Sequence, residues 1–299
     1  WSLVLRVEEL LIAQDMLGNA EKLYDAYKDK YSLGLAEESE FLAIEALLYE
    51  RRSNLLVAKS NRTTAKNKLL FLLNQGEFEQ EVVPEEDLSF ALDSVNLHQA
   101  LKDAVMTRRD YKRANNKIKK NKIEIVVSKN SLWPQIDLEA SFIRNNIGIA
   151  RSQVWEDVTS GANDEVFLTL TLRVPLENRE ARADLERVNF EKAQLLLDLK
   201  RTERVILLEI NDKVNEINTL KEQVELFQAT VDIHDRKLQK QIKRLKFGRS
   251  DVDTLIDYEQ DLIVSRRLLA LRLFDYRLAI TELDLVKNSL LGKYWQGPL

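Results

Sequence analysis

The chain has 299 residues, 31% of them charged, with only 8 Gly and 4 Pro; so few turn formers in so polar a sequence exclude an ordinary compact globule and point to long helices. A formal net charge of −4 leaves no basic excess to neutralise a nucleic-acid backbone. The absence of Cys excludes disulfides, thiolate nucleophiles and cysteine-ligated metals, and no run of about 18 apolar residues reads as a transmembrane helix.

The chain opens on WSLVLRVEELLIAQ, where Arg6, Glu8 and Glu9 interrupt the apolar residues. It lacks the basic start and clean apolar segment of a signal peptide. It reads as the interior of an amphipathic helix, Trp1 to Leu33, as though the element began upstream. Gly34 then separates it from a return helix of about Glu37 to Leu73. An acidic connector, GEFEQEVVPEEDLS, leads to a further helix from about Val95 to Lys129, whose basic run RANNKIKKNK reads as a solvated face.

One segment departs from the helical period. In LWPQIDLEASFIRN, apolar Ile136, Leu138, Ala140 and Phe142 alternate with Gln135, Asp137, Glu139 and Ser141; in EVFLTLTLRV, Val166, Leu168, Leu170, Leu172 and Val174 alternate with Thr169, Thr171 and Arg173. Two strands of about ten residues, each with one apolar and one polar face, suit a barrel with lipid outside and water inside. The long polar loop between them carries Gly148, Trp155 and Gly161, and Trp133 and Phe167 stand where interfacial aromatics would. The same alternation also describes any half-buried hairpin.

Between Pro175 and Gly248 there is no Gly or Pro, and Leu207, Ile210, Val214, Ile217, Leu220, Val224, Phe227 and Val231 step by threes and fours. That is a coiled-coil-like seam. With Asn178 as N-cap and an end at Lys246, the helix would be about 100 Å long. After Gly248 a second helix returns, with Leu255, Tyr258, Leu262, Leu269, Leu273, Tyr276, Ile280 and Leu283 at similar spacing. Gly34 and Gly248 are 214 residues apart, and at that offset Glu45 matches Glu259, Leu48 matches Leu262, Leu55 matches Leu269, Ala65 matches Ala279 and Leu69 matches Leu283. A duplicated long helical hairpin is the economical explanation.

Catalytic chemistry finds no support. The two histidines, His98 and His234, lie far apart without metal-ligand spacing. There is no phosphate loop and no nucleophile elbow, and the carboxylates read as helix-surface charge. No enzyme activity, cofactor or metal is expected.

The order of elements resembles the TolC-like outer-membrane efflux proteins, or outer-membrane factors. Three kinds of stretch carry the match: MTRRDYKRANNKIKKNKIEIVVSKNSLWPQIDLEASF, leading from a helix into a proline-marked strand; LTLRVPLENREARADLE, where a Val-Pro-Leu turn opens the long helix; and the tips FGRSDVDTLIDYEQDL and LGLAEESEFLAIEALL. The resemblance implies a mainly α fold with a β-hairpin, in which duplicated antiparallel helical hairpins form a trimeric α-helical barrel and the strands contribute to a trimeric membrane β-barrel. On that basis the chain divides into a first-repeat hairpin (1–76), a connector and helix (77–131), a membrane β-hairpin with external loop (132–176), a second-repeat hairpin (177–291) and a C-terminal tail (292–299). Family members carry four strands per subunit, so a first strand pair is expected upstream of Trp1, with the present segment about the last two-thirds of a subunit, or else the chain is a member that lacks that part of the barrel.

The function implied is a passive outer-membrane channel-tunnel with a large periplasmic portion, serving efflux or type I secretion. Its implied partners are two further copies of itself, a periplasmic adaptor (membrane fusion protein), an inner-membrane RND or ABC transporter, and outer-membrane lipid. The runner-up is a soluble coiled-coil scaffold with an accessory hairpin. Leu138, Phe142, Leu168, Leu170 and Leu172 are then expected to face lipid, and Leu33, Gly34, Leu35, Phe247 and Gly248 to form adaptor-docking tips. Asp251, Asp253, Asp257 and Arg249 are assigned to the periplasmic constriction. Asp257, nine residues after Gly248, matches the position of the family's acidic ring, whereas Leu245 replaces a gating tyrosine that the first copy retains as Tyr31, and Arg249 sits one residue from the expected arginine. For the tip acids, including Glu37, Glu38 and Glu40, two readings stay open: they complement a helix dipole, or threefold symmetry makes them rings that attract cations.

Overall fold

The structure, a computed structural model, describes residues 1–76, 80–144, 155, 164–247 and 251–294. The chain divides into two units, one of Trp1–Thr107 with Ile206–Leu299 and one of Arg108–Val205.

The first unit contains α1 (Ser2–Ser32), α2 (Glu38–Leu72), α3 (Leu97–Thr107) and, later in the chain, α6 (Val252–Val286) and α7 (Leu290–Tyr294). It also takes the residues from Ile206 onward of the long helix α5 (Arg179–Lys246). The duplication inferred from the sequence is exact in the backbone: α2 and α6 each have 35 residues, and both their ends differ by the same 214 positions that separate Gly34 from Gly248. The helices close on a core of Tyr27, Ile44, Leu238, Leu245, Val252, Leu255 and Leu262, so the two hairpin copies share apolar side chains near their tips. A second cluster, Leu5, Ile12, Met16, Leu88, Ile263 and Ala270, lies further along α1 and α6.

The seam of α5 runs through Ile206, Ile210, Val214, Ile217, Leu220 and Val224, all buried, with Phe227 and Val231 half-buried. Leu207, placed in the seam from sequence, is 50% exposed while Ile206 is 2% exposed. Both residues satisfy a spacing of three or four to Ile210, and only packing chooses between them. The helix expected from Val95 to Lys129 is interrupted at Arg108, whose ψ of 126° is extended. No proline or glycine marks the interruption. At the break the Thr107 hydroxyl donates to the Lys287 carbonyl as well as to that of Asp103, and the Arg108 guanidinium turns to Asp110 at 2.6 Å; the bond to Lys287, 180 positions away, is invisible in the local sequence.

The second unit holds α4 (Arg109–Asn130), the antiparallel pair β1 (Gln135–Arg144) and β2 (Asp164–Arg173), and α5 up to Val205. Helices α4 and α5 run antiparallel. Asn121 donates to the Val188 carbonyl at 3.2 Å, and Ser128 to Asp184 at 2.7 Å. Asn178 stands at the expected cap position, its carbonyl accepting from the Arg182 N–H at 3.1 Å, but it also does more than cap. Its φ is 47°, a left-handed value that asparagine tolerates, and its side-chain amide donates to the Leu132 carbonyl at 2.9 Å. It ties the exit of the hairpin to its entrance.

Leu262 is 1% exposed in the shared core. Leu262→Ala is expected to destabilise the chain by about 2–5 kcal/mol, through lost burial and a residual cavity, read as a lower midpoint in urea unfolding followed by helical circular dichroism.

Candidate membrane hairpin and helical tips

The strand register pairs Ile136 with Leu172, Leu138 with Leu170, Ala140 with Leu168 and Phe142 with Val166. Directly opposed residues point to one face of an antiparallel pair, so all eight share a face. The other face carries Gln135 with Arg173, Asp137 with Thr171 and Glu139 with Thr169, and the Arg173 guanidinium donates to Gln135 at 3.0 Å across the strands. The apolar face is open: Leu138, Phe142, Leu168, Leu170 and Leu172 are all exposed, Leu168 at 73%. A two-stranded ribbon that hides none of its leucines is marginal in water, and an apolar patch of this kind marks an interaction surface. The external loop with Gly148 and Gly161 lies outside the described residues, and among the described residues no helix is long and apolar enough to cross a membrane.

The first tip is built by glycine. Gly34 has φ 71°, its N–H donates to the Tyr31 carbonyl at 3.0 Å, and the Leu35 N–H reaches back to Lys30 at 2.8 Å. This is the paired closure of a Schellman motif, which needs a left-handed residue at the turn. A Cβ on Gly34 would meet nothing within 4 Å, so within this chain it is the sign of φ, and not room, that favours glycine here. Leu33, Leu35 and Phe247 are 71%, 72% and 78% exposed, leaving apolar side chains in water at both tips. Gly248 and Arg249 lie outside the described residues.

Sequence reasoning missed that the same turn recurs with asparagine. Asn74 (φ 55°) ends α2 and Asn288 (φ 58°) ends α6, and each shows the same pair of backbone bonds, with Gln75 donating to Leu70 and Ser289 to Asp284, both near 3 Å. They too are 214 residues apart, a signal available in the sequence.

The three acids after Gly248 separate by geometry. Asp251 is the N-cap of α6: its carboxylate accepts from the Thr254 N–H at 2.6 Å, and hydrogen bonding from the Thr254 side chain, then from that N–H, holds the acid below the usual carboxylate range. Asp253 lies in the first turn, where the helix dipole suffices to explain it. Asp257 is exposed and beyond that turn, so the dipole does not account for it. Of the gate positions compared above, Leu245 is buried in the shared core, while Tyr31 stacks on Phe41 at 5.0 Å. Glu37 occupies the cap position of α2 without a side-chain capping bond, and Glu38 and Glu40 lie in that helix's first turn. His234 stands 3.7 Å from Asp261, and among the described residues no group of three or more potential metal ligands gathers.

No protein-family model matches the chain, and no curated protein does. Solved structures do. CusC, described in connection with folding and transmembrane channel formation, superposes with a TM-score of 0.70 at 15% identity over 96% of this chain and 65% of its own. The outer membrane protein VceC of Vibrio cholerae gives 0.64 at 16% over 97% and 66%. The MtrE outer membrane channel of Neisseria gonorrhoeae, in its open state, gives 0.67 at 17% over 97% and 64%. The chain therefore spans less than two-thirds of each of these structures. It has the fold of the TolC-like outer-membrane channels, mostly helical with a small antiparallel hairpin.

The cap at Asp251 has a pH signature. A carboxyl lowered in the fold contributes stability above its unfolded value and loses it as pH falls through the folded value, so the contribution fades below about pH 4. Asp251→Asn, which keeps an acceptor, is expected to hold the helix start without that pH dependence, and Asp251→Ala to lose the start at all pH values, as read by amide exchange at Thr254 and Leu255.

Proposed function

We propose that the chain is part of a subunit of a passive outer-membrane channel-tunnel. Three copies enclose a duct, the strands join a shared β-barrel in the outer membrane, and the helical hairpins form a periplasmic tunnel that receives substrate from an inner-membrane RND or ABC transporter through a periplasmic adaptor. The observation that carries this reading is the hairpin: the four consecutive pairs from Ile136–Leu172 to Phe142–Val166 are wholly apolar on one exposed face, while the other face is mainly polar, with Phe167 and Ile143 its apolar members. Lipid on the first face and water on the second accounts for both, and closure with strands of further copies removes the open edges that lipid does not tolerate. Exposed apolar residues on the helices, Phe190, Leu197 and Leu207 among them, suit burial against neighbouring copies.

The test uses the full-length subunit in detergent and in planar bilayers. The unmodified protein is expected to be a trimer by light scattering and to conduct ions. Leu170→Arg should block membrane insertion, at a cost of about 2–4 kcal/mol if the residue lies near mid-bilayer, whereas Thr171→Arg should insert and change conductance. Equal failure of both variants, or a monodisperse monomer with intact helicity, would favour a soluble scaffold instead.

The tips and the acids give a separable expectation. Leu33→Asp, Leu35→Asp and Phe247→Asp leave the turn backbone alone and should abolish crosslinking to the adaptor and transport while the trimer persists. Asp257→Ala, in the proposed constriction with Asp251, Asp253 and Arg249, should leave assembly unchanged and reduce cation preference in single-channel recordings, since a ring of acids attracts cations.

A further inference from the structure

The 214-residue offset relates whole helices and not only tips: it carries Ser2 and Ser32, the ends of α1, onto Glu216 and Lys246 in the last part of α5, and it relates α6 to α2. In the folded chain α1 covers one face of α6. Ile12, Ala13 and Met16 of α1 line a void of about 10 Å³ together with Ile263 of α6, and beside it Asp15 accepts from the Arg266 guanidinium at 2.6 Å. Nearer the tip, Ile256 packs on the cluster that holds Ala20 of α1. Ile256, Ile263 and Ala270 follow one another at seven-residue spacing, the repeat of a seam between long helices, and Ile263 is 4% exposed.

The same stripe on α2 is Leu42, Tyr49 and Leu56. All three are exposed, Tyr49 at 59%, so among the described residues nothing does for α2 what α1 does for α6. The helix that the offset makes equivalent to α1 is α5, and Leu226, the counterpart of Ile12, is 69% exposed where Ile12 is buried. A stripe and the residue that would fill it are thus both left in water, on helices of different repeats. Exposed apolar groups of this kind mark an interaction surface, and the seam already made inside the chain shows what fits it.

We propose that α5 of one copy lies along α2 of the next, with Leu226 against Tyr49 and Leu56, so that the seam made inside each chain by α1 and α6 is repeated between chains. The contact is heterologous: it joins two different surfaces, and such contacts add copies until the rotation closes a ring. The size of that ring, three copies, rests on the channel reading proposed above; the pairing of the two surfaces rests on the duplication and holds for a soluble assembly as well. The two seams differ in one respect. Arg266 corresponds to Arg52, but Asp15 corresponds to Ala229, so the seam between chains keeps the apolar contacts without the ion pair, and Arg52 approaches Glu21 of its own hairpin at 4.0 Å.

The chain has no Cys, so single cysteines at these exposed positions can be tested in the full-length protein, with the unmodified protein as control. Tyr49→Cys and Leu226→Cys, produced together in one cell and treated in detergent with a short bis-maleimide, should give a two-chain band on a denaturing gel. Neither variant alone should, because each surface meets the other and not itself. Arg52→Cys with Ala229→Cys, the counterparts of Arg266 and Asp15, should behave in the same way. One chain carrying both Tyr49→Cys and Leu226→Cys should give a ladder that ends at the ring size. Phe71→Cys, also exposed but about 33 Å further along α2, should give no band with Leu226→Cys. Crosslinking by a single variant alone, a Phe71→Cys product as strong as that of Tyr49→Cys, or no two-chain product from either mixture overturns the pairing. A conducting trimer without these crosslinks would overturn the pairing and leave the channel reading standing, whereas crosslinked rings that fail to enter a bilayer would do the reverse.

Discussion

A helix that must reverse direction leaves the carbonyls of its last turn without partners, and everything in this chain is organised around how that deficit is met. Gly34, Asn74 and Asn288 each take a left-handed conformation, letting the next two N–H groups fold back onto the orphaned carbonyls. Because the reversals recur at one spacing in the chain, the return helices have equal length and their apolar stripes arrive in register. The core of Tyr27, Ile44, Leu238, Leu245, Val252, Leu255 and Leu262 follows from that register.

Within these apolar seams the polar exceptions do different work in the two units. In the second unit Asn121 and Ser128 make directional bonds from α4 to α5, which select one register among several that hydrophobic contact alone would permit. In the first unit Arg51 reaches Glu259 across two helices, and Tyr276 donates to the Asp93 carbonyl at 2.8 Å while stacking on Phe90. That second contact holds the connector against α6, with Arg277 placed over the rings of Trp1 and Phe90 and paired with Glu86. Apolar stripes bring the helices together; the buried polar groups decide how far each slides along its neighbour.

The β-hairpin obeys the opposite logic. Its apolar side chains are not hidden within the chain at all, and its polar face is knitted by cross-strand contacts such as Arg173 with Gln135. A surface of this kind is complete only with lipid or with other chains against it. The helices satisfy their own backbone and bury their apolar seams, whereas the strands leave their apolar face open.

Periodicity in the sequence was enough to determine the long helices, the two-faced strands, the reversal at Gly34 and the duplication, because each depends on local backbone preference or on the repeat of one side-chain face. The same information left Leu207 and Ile206 equivalent as seam residues, ran one helix through Arg108 and placed Asn178 at the helix start without its tie to Leu132. Tertiary structure decided these points, since burial of Ile206, the bond from Thr107 to Lys287 and the bond from Asn178 to Leu132 join residues 46 or more positions apart in the last two cases. Arg51 shows the limit most plainly. Its place in an apolar stripe was legible at the spacing of Ile44, Leu47 and Leu48, but a charge there is tolerable only with a carboxylate opposite, and the chain brings Glu259 to it across more than two hundred residues only by folding.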